Sequence, residues 1–449
     1  MKKLYAPWEK AFEKVATPFE RFLHAQTTTG LILVFTTIIA LVLANSPLAE
    51  QYLHIFHSNI DIYINKLGIS MSIHHWINDG LMAMFFFVIG LEIKRNILVG
   101  ELSDIKVAML PIISALGGMI MPALIYYSLN FDSAGAHGWG IPMATDIAFA
   151  ISALVLLKNR VSTALVTFLV ALAIVDDLGA VVVIALFYTE QIHMVYLGLA
   201  FASLFVMIMF NRFGIHAVIP YFTVGLIMWF FMLESGVHAT IAGVIAAMAI
   251  PSRPKYAPVN FATHIKNQVD EYNSYPLQED YRLHENQKAI LDNIKKRITA
   301  LSSPASRLEE SMHLPVSLIV IPLFALANAG VSIDFSSAAT EIANPVSFGI
   351  IAGLVIGKVL GIAGFALLSI KMGIAKLPHN SNISQLFGVS LLGGIGFTMS
   401  IFIAELAFVG NSELIFQAKI GILAASLTAG ILGFVWLRFI AKKPEPHLV

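Results

Sequence analysis

The chain contains no cysteine, so disulfides, thiolate metal sites and cysteine nucleophiles are excluded. Charge is scarce as well. Asp, Glu, Lys and Arg make up 12% of the 449 residues, about half the share found in a soluble domain. The 28 basic residues balance the 28 acidic ones, and zero net charge argues against a nucleic-acid partner. No Lys or Arg lies between Arg160 and Arg212. What fills the chain is apolar: 57% hydrophobic residues, 31 Phe and a mean hydropathy of +0.78. Arranged in repeated runs, this composition is that of an integral membrane protein. The first long run begins near Thr29, after a charged segment without a small-residue cleavage site, so the first helix is expected to be an uncleaved signal anchor.

Hydropathy predicts an all-α membrane protein of about twelve transmembrane helices. They fall near 29–46, 77–98, 107–130, 140–157, 162–188, 193–211, 215–233, 236–252, 313–332, 347–370, 385–408 and 416–438. With the N-terminus in the cytoplasm, 25 of the 28 Lys and Arg fall on inside segments, leaving Lys66 and Lys419 outside and Lys358 within a span. Both termini are therefore expected in the cytoplasm. Residues 1–28 read as a cytoplasmic interfacial helix, with Trp8, Phe12, Val15 and Phe19 at helical spacing. Residues 29–440 form a single transporter domain, and 441–449 a cytoplasmic tail. Between the first two spans, period-two alternation around Lys66-Leu-Gly68 predicts an outer β-hairpin at about 52–75. An isolated hairpin is marginal, so pairing with a second subunit is expected. The cytoplasmic loop at about 251–312 carries one amphipathic helix marked by Ile290, Leu291, Ile294, Ile298 and Leu301.

Asp176 and Asp177 are adjacent in the middle of an apolar run of 27 residues, Ser162 to Tyr188. One charge at bilayer depth costs at least ~2.5–3.5 kcal/mol, so an intramembrane pair marks a functional site, here one that handles a cation. Asp146 lies near the middle of the fourth span beside Thr145, after Gly138, Gly140 and Pro142. Gly393, Gly394 and Gly396 interrupt the eleventh span in the same way. Both spans are expected to be broken, since Pro removes a backbone donor and Gly weakens a helix. Lys358 sits in the tenth span with apolar flanks of about 15 Å, too long for its side chain to reach the interface. It must be paired, deprotonated or facing water. The fourth and eleventh spans run in opposite directions. Paired breaks of that kind point to a transporter site between inverted repeats, here spans 3–5 and 10–12.

Six ordered blocks carry a family resemblance: residues 140–150 (GIPMATDIAFA), 173–180 (AIVDDLGA), 233–251 (LESGVHATIAGVIAAMAIP), 323–330 (LFALANAG), 356–361 (IGKVLG) and 393–408 (GGIGFTMSIFIAELAF). Together they strongly resemble the NhaA-type sodium/proton antiporters, from about the first span to the twelfth. The resemblance implies an electrogenic, pH-regulated exporter of Na⁺ or Li⁺ in exchange for H⁺, in a bacterial inner membrane, without a cofactor. It implies that Asp176 and Asp177 bind the cation and the proton. Asp146 and Thr145 would lie where two broken helices cross, with Lys358 balancing half-helix dipoles and pairing with Asp176. The outer hairpin would join a homodimer. Glu92, Lys94, Arg95, Arg307, Glu309 and His313 match the charge cluster of pH-regulated members. Asn96, Ser306 and Glu310 depart from it, so the midpoint or steepness of any pH response is expected to differ.

Residue chemistry agrees with that role. Helical neighbours point about 100° apart, so one Asp can face water while the other faces Lys358. Two close carboxylates resist double ionisation and titrate as a pair. Protons and a small hard cation then compete for the same oxygens, and alternating access converts competition into exchange. Other readings stay open. Asp146 can be a cap as well as a functional group, Lys358 a counter-charge or a proton carrier, and His238 an interface hydrogen-bonder or a pH sensor. Two rival functions remain. A sodium-coupled organic-solute symporter needs a solute pocket such as an Arg clamp, and no Arg lies in the middle of any span. An intramembrane aspartyl protease could pair Asp146 with Asp176 but needs no neighbouring Lys.

Overall fold

The structure is a computed structural model that describes residues 26–64, 67–100, 102–157, 160–189, 192–255, 261–275, 283–332 and 338–441. The expected interfacial helix at residues 5–24 and nearly all of the C-terminal tail lie outside the described residues. The fold is helical with one small sheet. In chain order the elements are α1 (Gln26–Ala44), α2 (Ala49–His57), β1 (Asn59–Ile64), β2 (Leu67–Ser72), α3 (Met82–Val99) and α4 (Ile105–Asn130). A 3₁₀ segment, Ala134–Met143, leads into α5 (Ile147–Leu157), then α6 (Thr163–Phe187), α7 (Met194–Arg212), α8 (Val218–Glu234) and α9 (Thr240–Ala249). The second half holds α10 (Phe261–Ser274), α11 (Glu285–Leu301), α12 (Pro304–Asn328), α13 (Ala338–Ala343), α14 (Pro345–Lys371), α15 (Ile383–Leu392), α16 (Phe397–Ala407) and α17 (Ser412–Ile440).

Among the described residues, six helices are long and apolar enough to cross a bilayer: α4, α6, α7, α12, α14 and α17. Three further pairs pass that test together but are bent: α1 with α2 by 112°, the 3₁₀ segment with α5 by 40°, and α15 with α16 by 48°. Helix α3 is 18 residues long, and Glu92, Lys94 and Arg95 occupy its later half. Local chemistry sets many of the starts. Ser162, Ser303, Asn382 and Asn411 accept hydrogen bonds from backbone N–H groups of Leu165, Ser306, Gln385 and Leu414 at 2.8–3.3 Å, satisfying donors that a first turn leaves open. Pro304 and Pro345 occupy first-turn positions, where a missing N–H costs nothing.

Some boundaries differ from the sequence reading. The strands are antiparallel with Asn59 opposite Ser72 and Ile64 opposite Leu67, and the residues before them, Ala49–His57, are helical instead of strand-forming. Bent back from α1 by 112°, this short helix keeps Tyr52 and Phe56 buried. The segment read as cytoplasmic loop contains two helices, α10 and α11, not one. Its end is also shorter, because the Ser303 cap and Pro304 start α12 well before the apolar run.

A close helix crossing brings α14 against α4. A Cβ at Gly361 would overlap the carbonyl oxygen of Gly117, and a Cβ at Gly117 would overlap that of Gly361. This approach holds the stretch of α14 that carries Lys358. The helix widens into a π-turn at Gly353–Gly357, so that the Lys358 N–H donates to the carbonyl of Gly353. Gly361→Val is expected to force the helices apart at a cost of about 1–3 kcal/mol. Thermal unfolding of the purified protein in detergent should show the drop, and an unchanged melting temperature would contradict this contact.

Candidate functional site

The two breaks meet. The backbone N–H of Asp146 donates to the carbonyl of Ile395 at 2.6 Å, so the segment between the 3₁₀ turn and α5 is bonded to the one between α15 and α16. Each break exposes the N-terminus of a half-helix, with unsatisfied donors and a partial positive charge. Asp146 meets both. Its Oδ1 accepts from the Phe149 N–H of α5 at 3.1 Å, and its Oδ2 accepts from the Thr398 N–H of α16 at 3.1 Å and from the Thr398 hydroxyl. The Ser400 hydroxyl adds a bond to the Ile141 carbonyl at 2.8 Å.

Thr145 stands on the other side of the crossing. Its hydroxyl lies 2.8 Å from the Gly393 carbonyl, at the end of α15, and 2.9 Å from Asp176 Oδ2. Lys358 Nζ donates to Thr145 Oγ1 at 2.9 Å and to Asp176 Oδ2 at 2.6 Å. Thr145 therefore accepts from the lysine and passes its own proton to one of the two oxygen acceptors. Asp146 faces half-helix N-termini, while Lys358 is linked through Thr145 to a carbonyl end, so each charge sits by the helix end of opposite sign.

Thr145, Asp146, Asp176, Asp177 and Lys358 are each at most 3% exposed. Asp176 and Asp177 lie about 15–17 Å from the nearer end of α6. The Lys358–Asp176 ion pair is fully buried on both sides. Two carboxylate oxygens are left over: Asp176 Oδ1 and Asp177 Oδ1 are buried and have no hydrogen-bond partner among the described residues. Buried polar atoms without partners are rare and ask for an explanation. Among the described residues no group of three or more His, Asp and Glu is placed to hold a metal ion. A cation at this place would have to complete its shell with hydroxyl, carbonyl or water oxygens.

The remaining candidates separate. Arg95 of α3 and Glu309 of α12 form an ion pair at 2.8 Å, with Glu309 mostly buried. Lys94 instead donates to the Met248 carbonyl at 2.7 Å and to that of Ile250, at the carbonyl end of α9. Arg307 donates to the His216 carbonyl at 2.9 Å. Glu92 accepts through its backbone carbonyl from Asn96 at 2.9 Å. His313 lies near Glu309 without a hydrogen bond to it described. His238 lies at the other end of α6, its Nε2 2.8 Å from the Tyr188 carbonyl, which requires the hydrogen on Nε2.

Three partners were not foreseen. Thr398 stands two residues after Gly396 in the first turn of α16, where a hydroxyl has a ready capping role, and that signal was available. The Gly393 carbonyl carried no side-chain signal at all. Glu405 and Lys419, which no sequence signal joined, form an ion pair at 2.6 Å.

Long apolar helices around a buried set of charges define a multi-pass membrane protein. The profile of the Na⁺/H⁺ antiporter 1 family matches residues 20–437, and the chain belongs to that family. It is 72% identical over 440 residues to the Na(+)/H(+) antiporter NhaA of Sulfurimonas denitrificans, covering 98% of this chain and 99% of that relative. It is 49% identical over 432 residues to the Na(+)/H(+) antiporter NhaA 1 of Saccharophagus degradans (96% and 93% covered) and 46% identical over 442 residues to the Na(+)/H(+) antiporter NhaA of Dichelobacter nodosus (98% and 95%). Members of this family are transporters, not enzymes.

Removing one partner of a buried ion pair leaves an uncompensated charge. Lys358→Ala should destabilise the protein by on the order of 3–5 kcal/mol, while Lys358→Met combined with Asp176→Leu should recover most of the loss. Unfolding in detergent checks both. A single variant as stable as the parent would show that the pair carries no such strain.

Proposed function

We propose that this protein exchanges Na⁺ or Li⁺ for H⁺ across a bacterial inner membrane, with Asp176 and Asp177 as the shared cation and proton site. The observation that carries the reading is the paired carboxylate: Asp176 is held by Lys358, and both aspartates keep a buried oxygen without a partner among the described residues. A desolvated cation arriving there competes with the lysine ammonium for Asp176 and with protons for both carboxylates. Proton uptake reverses the competition. Coupling needs no further device, because one site cannot hold both charges together. If more than one proton moves per cation, the membrane potential contributes to transport.

The wider architecture follows the same reading. The six long helices, the three bent pairs counted once each, and α3, α8 and α9 make twelve spans. Spans 3–5 and 10–12 then form inverted repeats whose interrupted helices cross at Thr145–Asp146 and Gly393–Gly396, with Lys358 offsetting helix ends. Both termini lie in the cytoplasm, and residues 29–440 act as one transporter domain. The hairpin of β1 and β2 joins two copies into a homodimer. The Arg95–Glu309 pair, with Glu92, Lys94, Arg307, His313 and His238 around it and further off, is the proposed pH-responsive set.

Asp177→Asn should abolish Na⁺-driven proton release from everted vesicles while the protein still inserts and folds. Normal exchange in that variant would sink the assignment, and solute uptake with Na⁺ would favour a symporter. Exchange measured from roughly pH 6 to 9 should rise or fall steeply with pH. A flat profile would remove the regulatory part of the proposal and leave the exchange site standing.

A further inference from the structure

A second polar site lies away from the paired aspartates. Helix α11 of the cytoplasmic segment, the turn between α7 and α8, and the start of α12 enclose a cleft of about 530 Å³. Among the described residues its charged lining consists of Lys255, Lys295, Lys296 and Arg307, with Asp292 as the one carboxylate and His216 beside them. Basic side chains therefore outnumber acidic ones along this cleft, and they come from residue 255, from α11 and from the start of α12. The walls are held in place by main-chain bonds: Lys255 N–H donates to the Ala300 carbonyl at 3.0 Å and Ala305 N–H to the Pro251 carbonyl at 3.2 Å. Arg307 is anchored through Nη2 to the His216 carbonyl at 2.9 Å, yet its buried Nε–H has no hydrogen-bond acceptor among the described residues.

Gathered like charges repel unless an anion joins them, and a guanidinium with a free N–H beside flexible ammonium groups matches phosphate oxygens. We propose that this cleft binds a phosphate-bearing anion, which ties the α10–α11 hairpin to the membrane helices through Lys295, Lys296 and Arg307. The volume exceeds what one orthophosphate fills, so the phosphate is expected on a larger body: a diphosphate in solution or a phosphodiester headgroup of a lipid. Lys295 and Lys296 belong to neither the paired-aspartate site nor the proposed pH-responsive set, and Arg307 is shared with that set.

The test uses the full chain in nanodiscs. Lys295→Gln with Lys296→Gln removes two pocket charges; Lys266→Gln with Lys288→Gln removes two from the same hairpin outside the cleft. All four side chains are exposed, so folding should survive. In phosphatidylcholine discs, inorganic pyrophosphate is titrated by calorimetry. In a second arm, phosphatidylglycerol replaces part of the lipid and thermal stabilisation is recorded. If the phosphate comes from solution, pyrophosphate binds the parent and the control alike, and the pocket variant at least tenfold more weakly. If it comes from lipid, phosphatidylglycerol stabilises the parent and the control but not the pocket variant. The proposal is overturned if pocket variant and control behave alike in both arms, which would reduce the effect to general surface charge.

Discussion

The buried ion pair between Lys358 and Asp176 is the constraint on which the centre of this protein depends. Two full charges without water are costly, and their attraction offsets that cost only when geometry is tight and the remaining hydrogen-bonding capacity is used. Here the 2.6 Å contact is supported by Thr145, which accepts from the lysine and faces the Gly393 carbonyl. The lysine can reach this place only because α14 approaches α4 at Gly361 and Gly117 and because a π-turn shifts its phase just before Lys358. Packing, helix geometry and charge placement are thus one arrangement.

Asp146 plays a complementary part. Breaking two helices in a dry interior would leave peptide groups without partners, and a bilayer interior supplies none. The two breaks satisfy one another, through the Asp146 N–H on Ile395 and the Asp146 carboxylate on the first turns of α5 and α16. The carboxylate contacts of Asp146 are donors at half-helix N-termini, which is the geometry of a cap. That role also keeps Thr145, one residue earlier, facing Lys358. The unspent capacity of the site then rests in the oxygens of Asp176 and Asp177, where a cation has something to gain.

Much of this was legible in the chain. Apolar runs, Gly and Pro at the breaks, the aspartate pair and an isolated lysine are local signals with direct physical costs, and they marked the membrane class and the five central residues. The period-two alternation at 59–72 marked the hairpin. Other features were not legible. Residues 49–57 read as part of an extended segment because short helices and strands share composition, and burial of Tyr52 and Phe56 decided for the helix. Lys94, Arg95 and Glu309 looked like one charge cluster, yet Lys94 turns to the carbonyl end of α9 and only the other two pair.

By itself the sequence determined which residues are too costly to bury without a purpose, since that cost depends on residue type and on the length of the apolar run around it. Only the tertiary structure decided the partners. Lys358 is 182 residues from Asp176, and Thr398 is 252 from Asp146. Nothing in local spacing carries such pairings, because they follow from where helices cross and which way each side chain points. The Gly393 carbonyl makes the same case more strongly: a backbone oxygen has no identity in the sequence and becomes a partner only when a helix ends beside it.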